Sequence, residues 1–201
     1  MYKRQEILSE TNHENQEEID TILEQTEKLD FLIQSLVKLS RMESGIIAVH
    51  SEDTTIKQML ESIQQQFNAK VREKNITLSL CDTDLHVLCD PKWTEEALGN
   101  IVDNAIKYTA CGGNVQIKVE QYSFFVKIDI IDDGIGIEKE EIPKIFGRFY
   151  RSLSVADQPG VGIGLFLARE IIQAQKGYIK VTSKRGKGST FSVFLPIAKK
   201  E

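Results

Sequence analysis

Apolar residues recur at steps of three and four along residues 17–43, and this period predicts one long amphipathic helix. Charged residues such as Glu24, Lys28 and Lys38 take the other faces. Gly45 is placed to end the helix, because glycine readily adopts the left-handed conformation that follows many helices. The apolar stripe consists of Ile19, Ile22, Leu23, Thr26, Leu29, Ile33, Leu36 and Val37.

A helix with so broad an apolar stripe needs a partner surface. One hypothesis is a helical bundle completed by a second copy of the chain, which makes a homodimer through the N-terminal helix. The alternative is that the stripe packs against the globular part of the same chain. We favour the homodimer on the pattern of the stripe.

The rest of the chain mixes two periods. A period of 3.6 predicts helices over 55–74, 93–108 and 163–176, and alternation predicts strands over 76–80, 86–89, 115–120, 124–132, 178–183 and 190–196. Helices between pairs of strands predict an α+β fold, a two-layer sandwich with one mixed sheet and about three helices on one face. The predicted domains are 1–46 for the N-terminal helix region, 47–54 for a linker and 55–201 for the globular part.

Charge and composition exclude several classes of protein. The formal net charge is −5, so the chain lacks the basic footprint of a nucleic-acid-binding protein. No apolar run is long enough for a membrane span. The three cysteines form no CxxC pair, which indicates thiols in a reducing compartment and no cysteine metal site. A cytoplasmic location is therefore expected.

Two glycine clusters, DDGIGI at 132–137 and GVGIGL at 160–165, carry the first chemical signal. Ionised Asp132 only accepts hydrogen bonds, and Gly134 and Gly136 allow the backbone to approach a flat ligand. Such a site fits an adenine, whose exocyclic amine is a donor. Gly160, Gly162 and Gly164 lead into a helix, whose N-terminal amides attract phosphates. The plain alternative is that these glycines only make turns.

A second signal lies on the helix predicted over 93–108. Glu96, Asn100 and Asn104 repeat every four residues and so share one face. Asparagine is a mediocre helix former, so two in register indicate a face turned toward something polar. Lys107 and Tyr108 follow and could reach a phosphate and a base or ribose. An amide oxygen beside a triphosphate suits Mg²⁺, which takes few protein ligands.

Together these segments resemble the catalytic and ATP-binding part of sensor histidine kinases, in the gyrase, Hsp90, histidine kinase and MutL superfamily. ALGNIVDNAIKYT is similar to the N box, DDGIGI to the G1 box and IFGRFYR to the F box. GVGIGLFLAREI is similar to the G2 box, and GKGSTFSVFLP to the closing strand segment. Five motifs in order make the resemblance specific. It implies a Bergerat-type ATP-binding fold, with ATP and Mg²⁺ as ligands.

The resemblance also implies roles for individual residues. Asn104 is expected to bind Mg²⁺, and Asn100 to lie beside the phosphates. Asp132 is expected to accept from the adenine amine, with Thr190 joining it in a water network. The other implied nucleotide-contacting residues are Lys107, Tyr108, Gly134, Gly136, Ile137, Gly160, Gly162, Gly164 and Leu165.

The implied catalytic residues are Asn100, Lys107 and Arg151, and residues 147–161 are the expected mobile lid. Hydrolytic members of the superfamily carry a glutamate at the position of Asn100. Since asparagine cannot act as a general base, the chain is expected to transfer the phosphoryl group and not to hydrolyse ATP. Glu96 is a rival base, which we interpret as a solvated helix charge.

The acceptor is a histidine in this family, on the first helix of a dimerisation hairpin. Residues 27–45 resemble the second helix of that hairpin, and the first helix is not evident. His13 is the only N-terminal candidate, but Glu17 and Glu18 stand where the acceptor motif has a Thr or Asn and a Pro. The chain is therefore expected to lack its acceptor.

The resemblance further implies a response regulator receiver domain as partner, with membrane association only through an upstream sensing region. Two other functions stay open. One is an ATP-hydrolysing member of the superfamily, and the other is a non-catalytic nucleotide-binding interaction module.

Overall fold

The computed structural model describes residues 18, 19, 21–23, 25, 26, 29, 30, 32–34, 36, 37, 40, 49–152, 155, 158 and 160–198. The described residues between 18 and 40 are helical, as the apolar period predicts. Seven of their large apolar side chains are exposed, from 41% at Val37 to 64% at Ile22, and Leu32 is half-buried. His13 and Gly45 lie outside the described residues.

Two compact units divide the chain, and the larger covers Ala48–Gln158 and Gly162–Glu201. Its helices are α1, Ile56–Glu73; α2, Pro91–Tyr108; and α3, Gly164–Ala174. Its strands are β1, Glu52–Thr55; β2, Thr77–Leu80; β3, His86–Cys89; β4, Asn114–Gln121; β5, Phe125–Asp132; β6, Tyr178–Ser183; and β7, Ser189–Pro196. Five strands form one sheet in the order β2-β4-β5-β7-β6, and β1 pairs with β3 in a separate two-stranded sheet.

The five-stranded sheet is mixed, because β2 runs parallel to β4 and all other neighbours are antiparallel. Its register places Ile128 of β5 opposite Val193 of β7, and Ile130 opposite Phe191. These four side chains are buried and lie on the face covered by the helices. The outer face carries Phe125, Tyr178 and Phe194, and the Tyr178 ring contacts the other two rings. The predicted α+β sandwich with helices on one face is confirmed.

Helix α2 lies at the centre of the helical layer and contacts α1, α3 and β5. Its buried residues follow the 3.6-residue period, and they are Thr94, Ala97, Leu98, Gly99, Ile101, Val102, Ala105 and Ile106. Its start is well specified, since Pro91 occupies the first turn and the Asp90 side chain accepts from the Trp93 amide at 3.2 Å. Apart from the buried Thr94, the polar residues of α2 lie on the face that does not pack into the core.

Strand β1 lies in the stretch that the sequence analysis assigned to a linker. Its four residues, EDTT, have no apolar alternation, so nothing local predicts a strand. The strand forms because its backbone pairs with β3, with Glu52 opposite Cys89 and Thr55 opposite His86. Among the described residues, no helix has the length and apolar character needed to cross a bilayer.

Replacing Asp90 by alanine removes the cap of α2 and should lower the free energy of unfolding by about 1–2 kcal/mol. The Asp90 carboxylate also accepts from the His50 amide at 3.1 Å, so the loss belongs at the upper end of that range. Asp90→Asn is the control and should lose less stability, because asparagine can keep the cap to the Trp93 amide and gives up only the bond from the His50 amide. Urea unfolding of both variants measures the difference. An equal loss in both variants would contradict the capping role.

Candidate functional site

The predicted site residues converge where β5 ends, beside the C-terminal half of α2 and the start of α3. Asp132 is the last residue of β5, and Tyr108 is the last residue of α2. The amide of Ile135 donates to the Tyr108 carbonyl oxygen at 3.2 Å, which joins the loop after β5 to the end of α2. The Asp132 loop and the polar face of α2 thus lie close together.

Asp132 is buried, with 7% of its surface exposed, and it is held by two backbone amides. Its Oδ1 accepts from Gly134 N at 3.0 Å and from Ser189 N at 3.2 Å. Burial raises the pKa of Asp132, and the two amides only partly offset this effect. Because both bonds end on Oδ1, Oδ2 is the oxygen with accepting capacity left for a ligand.

The loop after Asp132 passes so close to its neighbours that glycine is required. A Cβ on Gly134 would lie 2.5 Å from the Tyr108 carbonyl oxygen. Gly136 has φ +66°, and a Cβ there would collide with the Lys184 carbonyl oxygen. The amide of Ile137 donates to Ser183 Oγ at 2.8 Å, so the loop is anchored to β6 as well. These glycines do more than make a turn, because they bring backbone against backbone around Asp132.

The polar face of α2 presents Asn100, Asn104, Lys107 and Tyr108, all half-buried. Asn100 Nδ2 donates to the Glu96 carbonyl at 3.0 Å. The start of α3 lies against Asn100, since a Cβ on Gly164 would be 3.0 Å from Asn100 Oδ1. The structure therefore brings together the asparagine face and the helix that follows the second glycine cluster.

The surroundings of Lys107 and Tyr108 disfavour the charged form of each side chain. Burial lowers the pKa of Lys107, and the nearby Arg151 guanidinium lowers it further. Burial also raises the pKa of the Tyr108 hydroxyl. Two cations next to each other in a half-buried site favour an anionic ligand.

Arg151 lies within the expected lid and bonds to backbone groups of the same segment. It donates to the carbonyl oxygen of Val155 at 3.0 Å and to that of Gln158. Residues 153, 154, 156, 157 and 159 of the lid lie outside the described residues. A cavity of about 490 Å³ is lined by Arg151 together with Glu138, Glu141, Lys144, Tyr150, Ser152 and Arg185.

The second glycine cluster has the backbone conformations that the sequence implies. Gly160 has φ +138° and Gly162 has φ +78°, both in the region that favours glycine. A Cβ on Gly162 would lie 2.6 Å from the Tyr150 carbonyl oxygen, so the chain crosses the F-box segment closely. Gly164 and the half-buried Leu165 begin α3.

Thr190 does not lie beside Asp132. The register pairs Thr190 with Ile131 and pairs Asp132 with Ser189, so Thr190 belongs to the outer face of the sheet. Ser189 occupies the position expected for Thr190, because it is buried and its Oγ lies 3.0 Å from Ser183 Oγ. Sequence reasoning missed Ser189 and Ser183. The only available signal was the adjacency of Ser189 to Thr190, since the strand register is not written in the local sequence.

A divalent cation at this site would depend on oxygen atoms from its ligand. In the described part of the chain, no three His, Cys, Asp or Glu side chains form a metal-binding group. On the polar face, the Asn104 side chain offers one hard oxygen donor. That chemistry fits Mg²⁺, which is commonly bound through few protein oxygens together with substrate phosphates and waters.

Comparison with known families gives a match over the same segment. A family model described as histidine kinase-, DNA gyrase B-, and HSP90-like ATPase matches residues 89–199. This segment contains every predicted site residue. The resemblance inferred from the five motifs is confirmed.

Individual proteins similar to this chain are sensor kinases. It is 34% identical over 177 residues to the sensor histidine kinase WalK of Bacillus subtilis (strain 168), covering 86% of this chain and 29% of that protein. It is 30% identical over 171 residues to the sensor protein kinase PmrB of Pseudomonas aeruginosa, covering 85% of this chain and 36% of that protein. The chain thus spans about a third of the length of these relatives.

Among solved structures, the histidine kinase AdeS of Acinetobacter baumannii is similar at a TM-score of 0.72 and 26% identity. The match covers 90% of this chain and 84% of that one. Because most of both chains is covered, the similarity is not confined to a single motif.

Substituting Gly136 by alanine should destabilise the fold more than the same change at Gly186. Both have positive φ, which costs an alanine about 1–2 kcal/mol. At Gly186 a Cβ meets nothing within 4 Å, whereas at Gly136 it collides with backbone, which adds roughly 1–3 kcal/mol. Thermal unfolding of the two variants checks the ranking, and equal midpoints would contradict the packing described for this loop.

Proposed function

This chain belongs to the histidine kinase-, DNA gyrase B-, and HSP90-like ATPase family, and we propose that it forms the ATP-binding catalytic part of a sensor histidine kinase. The observation that carries the proposal is the buried Asp132, whose Oδ1 is fixed by two amides beside a helix face of two asparagines. The relatives named above as sensor kinases favour a kinase over other members of the family.

Recognition of the base starts at Asp132. With Oδ1 occupied by Gly134 N and Ser189 N, Oδ2 accepts from the exocyclic amine of adenine. Gly134 and Gly136 shape the loop beside the base, since the space of a side chain is taken by the carbonyls of Tyr108 and Lys184. The Ser183 and Ser189 hydroxyls, 3.0 Å apart, provide the polar surroundings for a water beside the base.

The phosphates lie between the polar face of α2 and the start of α3. Lys107 and Arg151 supply positive charge, and the backbone amides at Gly162, Gly164 and Leu165 add the favourable end of the helix dipole. Asn104 is the protein ligand for Mg²⁺, which neutralises charge on the phosphates when it is bound. Positioning and charge stabilisation are the main protein contributions to phosphoryl transfer.

The reaction is transfer of the γ-phosphoryl group to a histidine. The bond between the γ-phosphorus and the bridging oxygen breaks, a bond from phosphorus to an imidazole nitrogen forms, and ADP leaves. Arg151 contacts the transferring phosphoryl group. To reach it, Arg151 must first break its hydrogen bonds to the carbonyl oxygens of Val155 and Gln158. A response regulator receiver domain is then the expected partner for relay to an aspartate, in the cytoplasm, where ATP is available.

The asparagine at position 100 favours phosphoryl transfer over ATP hydrolysis. An amide cannot take a proton from water, so this position does not activate a hydrolytic nucleophile. Its Nδ2 is engaged with the Glu96 carbonyl, which holds the side chain in place beside Gly164. The Glu96 carboxylate is the one rival base on this face, and it is the reason to keep ATP hydrolysis as the second candidate function.

The helix within residues 18–40 supports a homodimer. Seven large apolar side chains on its described part have at least 41% of their surface exposed. A second copy of the helix would bury this stripe in a bundle. The division into 1–46, 47–54 and 55–201 remains a prediction, with β1 beginning at Glu52 inside the middle segment.

The central test uses γ-labelled ATP, Mg²⁺ and a separate dimerisation hairpin that carries an acceptor histidine. We expect acid-labile, base-stable label on the hairpin, and none when its histidine is replaced by alanine. Little inorganic phosphate should be released, because Asn100 does not activate water.

Three results would contradict this proposal in different ways. Fast phosphate release without transfer would favour the hydrolytic function. Failure to bind ATP with Mg²⁺ would favour the non-catalytic module. Label on the chain itself that His13→Ala removes would show that the chain carries its own acceptor.

Replacing Asp132 by asparagine should weaken ATP binding by about a hundredfold or more, on the scale of losing a charged hydrogen bond and leaving two donors face to face. The two amides would keep the asparagine carbonyl at the position of Oδ1, so its NH₂ group would point at the adenine amine. Asp133→Asn is the matched control, since Asp133 is exposed and bonds to Asn114 instead. Isothermal titration with ATP measures both variants.

The same variant should not lose stability. Because burial raises the pKa of Asp132, the wild-type fold loses stability as pH rises from the unfolded pKa to the folded pKa, and this penalty persists at higher pH. Asp132→Asn lacks that titration and should unfold at the same temperature or a higher one at neutral pH. Loss of ATP binding together with a large loss of stability would mean that the carboxylate is a structural group.

A further inference from the structure

The end of α2 is closed by a side chain from another helix. Lys74, which directly follows α1, donates from Nζ to the carbonyl oxygens of Ile106, Lys107 and Thr109, each at 2.9 Å. A lysine ammonium has three donors, so all of them are used. Lys74 therefore binds the end of the helix that carries the asparagine face.

These carbonyls would otherwise lack donors. The last four carbonyls of an α-helix have no partner within the helix and carry its partial negative charge. In α2, Ala105 O accepts from Thr109 N, and Tyr108 O accepts from Ile135 N. The two between them, Ile106 O and Lys107 O, accept from Lys74. The Lys74 ammonium thus supplies hydrogen-bond donors to the remaining carbonyl oxygens at this end of the helix.

The helix end in turn positions the loop around Asp132. Tyr108 O, which follows the two carbonyls held by Lys74, contacts the loop twice. It accepts from Ile135 N at 3.2 Å, and Gly134 packs against it so closely that a Cβ would be 2.5 Å away. Gly134 N is one of the two amides that hold Asp132 Oδ1. A shift of the last turn of α2 would therefore move the groups that fix the carboxylate.

Lys74 also holds the segment after α2 through its backbone. Its carbonyl oxygen accepts from Gly112 N at 3.1 Å, and Gly113 O accepts from Thr77 N at 2.9 Å. The side chain and the main chain of Lys74 thus hold the connection from α2 to β4. Asp133 holds the far end of this connection, with Oδ1 accepting from Asn114 N at 2.9 Å.

We propose that Lys74 is a positioning residue for the nucleotide site, which acts by holding the end of α2 against the loop after Asp132. It touches no predicted ligand-contacting side chain through its ammonium, and its effect passes through backbone groups alone. The inference rests on the proposed function for its effect on ATP, but its effect on the loop is a property of the chain without nucleotide.

The first experiment measures amide hydrogen exchange in the absence of nucleotide, resolved by residue with NMR. Lys74→Met keeps the length and apolar stem of the side chain and removes its three donors. The Ile135 amide should exchange about tenfold faster, as expected when about 1.4 kcal/mol of hydrogen-bond stabilisation is lost. The amide of Ile128, in the centre of the sheet, is the internal reference and should be unchanged.

Lys70→Met is the matched control variant. Lys70 also links α1 to α2, through an ion pair with Asp103 Oδ1 at 2.6 Å, but it contacts no carbonyl at the helix end. Ile135 exchange in this variant should stay within about twofold of the wild type, since an exposed ion pair contributes little. Equal acceleration in the two variants would overturn the inference, because general loosening of the two helices would explain it.

The second experiment measures ATP affinity by isothermal titration, well below the unfolding midpoint of each variant. Lys74→Met should bind ATP about tenfold more weakly, and Lys70→Met as the wild type does, because only the first disturbs the backbone around Asp132. Transfer at saturating ATP should change less than affinity does. If Lys74→Met is too unstable to purify, Lys74→Gln keeps two donors and should show smaller shifts in the same direction.

The possible results separate the two proposals. Wild-type chain that does not bind ATP contradicts the proposed function, and the exchange of Ile135 still tests Lys74. Wild-type chain that binds ATP while Lys74→Met binds equally well overturns the positioning role. Unchanged exchange at Ile135 in Lys74→Met overturns it as well, whatever the affinity for ATP.

Discussion

A buried carboxylate at the end of a strand is the constraint on which the site depends. Removing an ionised carboxylate from water is costly unless donors replace the water, and Asp132 has 7% of its surface exposed. Two backbone amides supply this replacement, one from its own loop and one from β7. Because both come from the main chain, the position of the carboxylate depends on the sheet register and on the loop path. Gly134 and Gly136 are needed where that path runs against the carbonyls of Tyr108 and Lys184.

The sequence predicted the layers of the fold because each element carries its own signal. β5 and β7 alternate over eight residues, and α2 carries a helical period, although it begins at Pro91, two residues before the predicted start. The sequence pointed to those parts of the site that lie within a single segment, which are the loop after Asp132 and the polar face of α2. What failed depends on pairing between distant segments. β1 is a strand only because β3 lies beside it, and Ser189 stands beside Asp132 only because of the register between β5 and β7.

Ser189, and not Thr190, lies opposite Asp132, which shows how strongly the site depends on the strand register. Side chains alternate between the two faces of a strand, so a shift of one residue moves a group from the side of Asp132 to the opposite surface. Thr190 shares that surface with Phe194, on the face of the sheet away from the helices. Lys74 is a similar case, since a lysine at the end of a helix reads as solvent-exposed. Its three acceptors lie 32 to 35 residues further along the chain, where no local pattern reveals them.

Burial shifts the pKa of an acid and of a base at the site, and both shifts favour the neutral form. Burial raises the pKa of the Asp132 carboxyl and lowers the pKa of the Lys107 ammonium, so in each case the fold disfavours the charged form. A fold selected for stability alone would not keep an acid and a base in such surroundings, because each makes the folded state less favourable at neutral pH. A ligand that donates to the first and brings negative charge to the second would remove both penalties at once. An adenine amine joined to a polyphosphate has this pair of features, and its binding would stabilise the folded chain in proportion to the logarithm of its concentration above the dissociation constant.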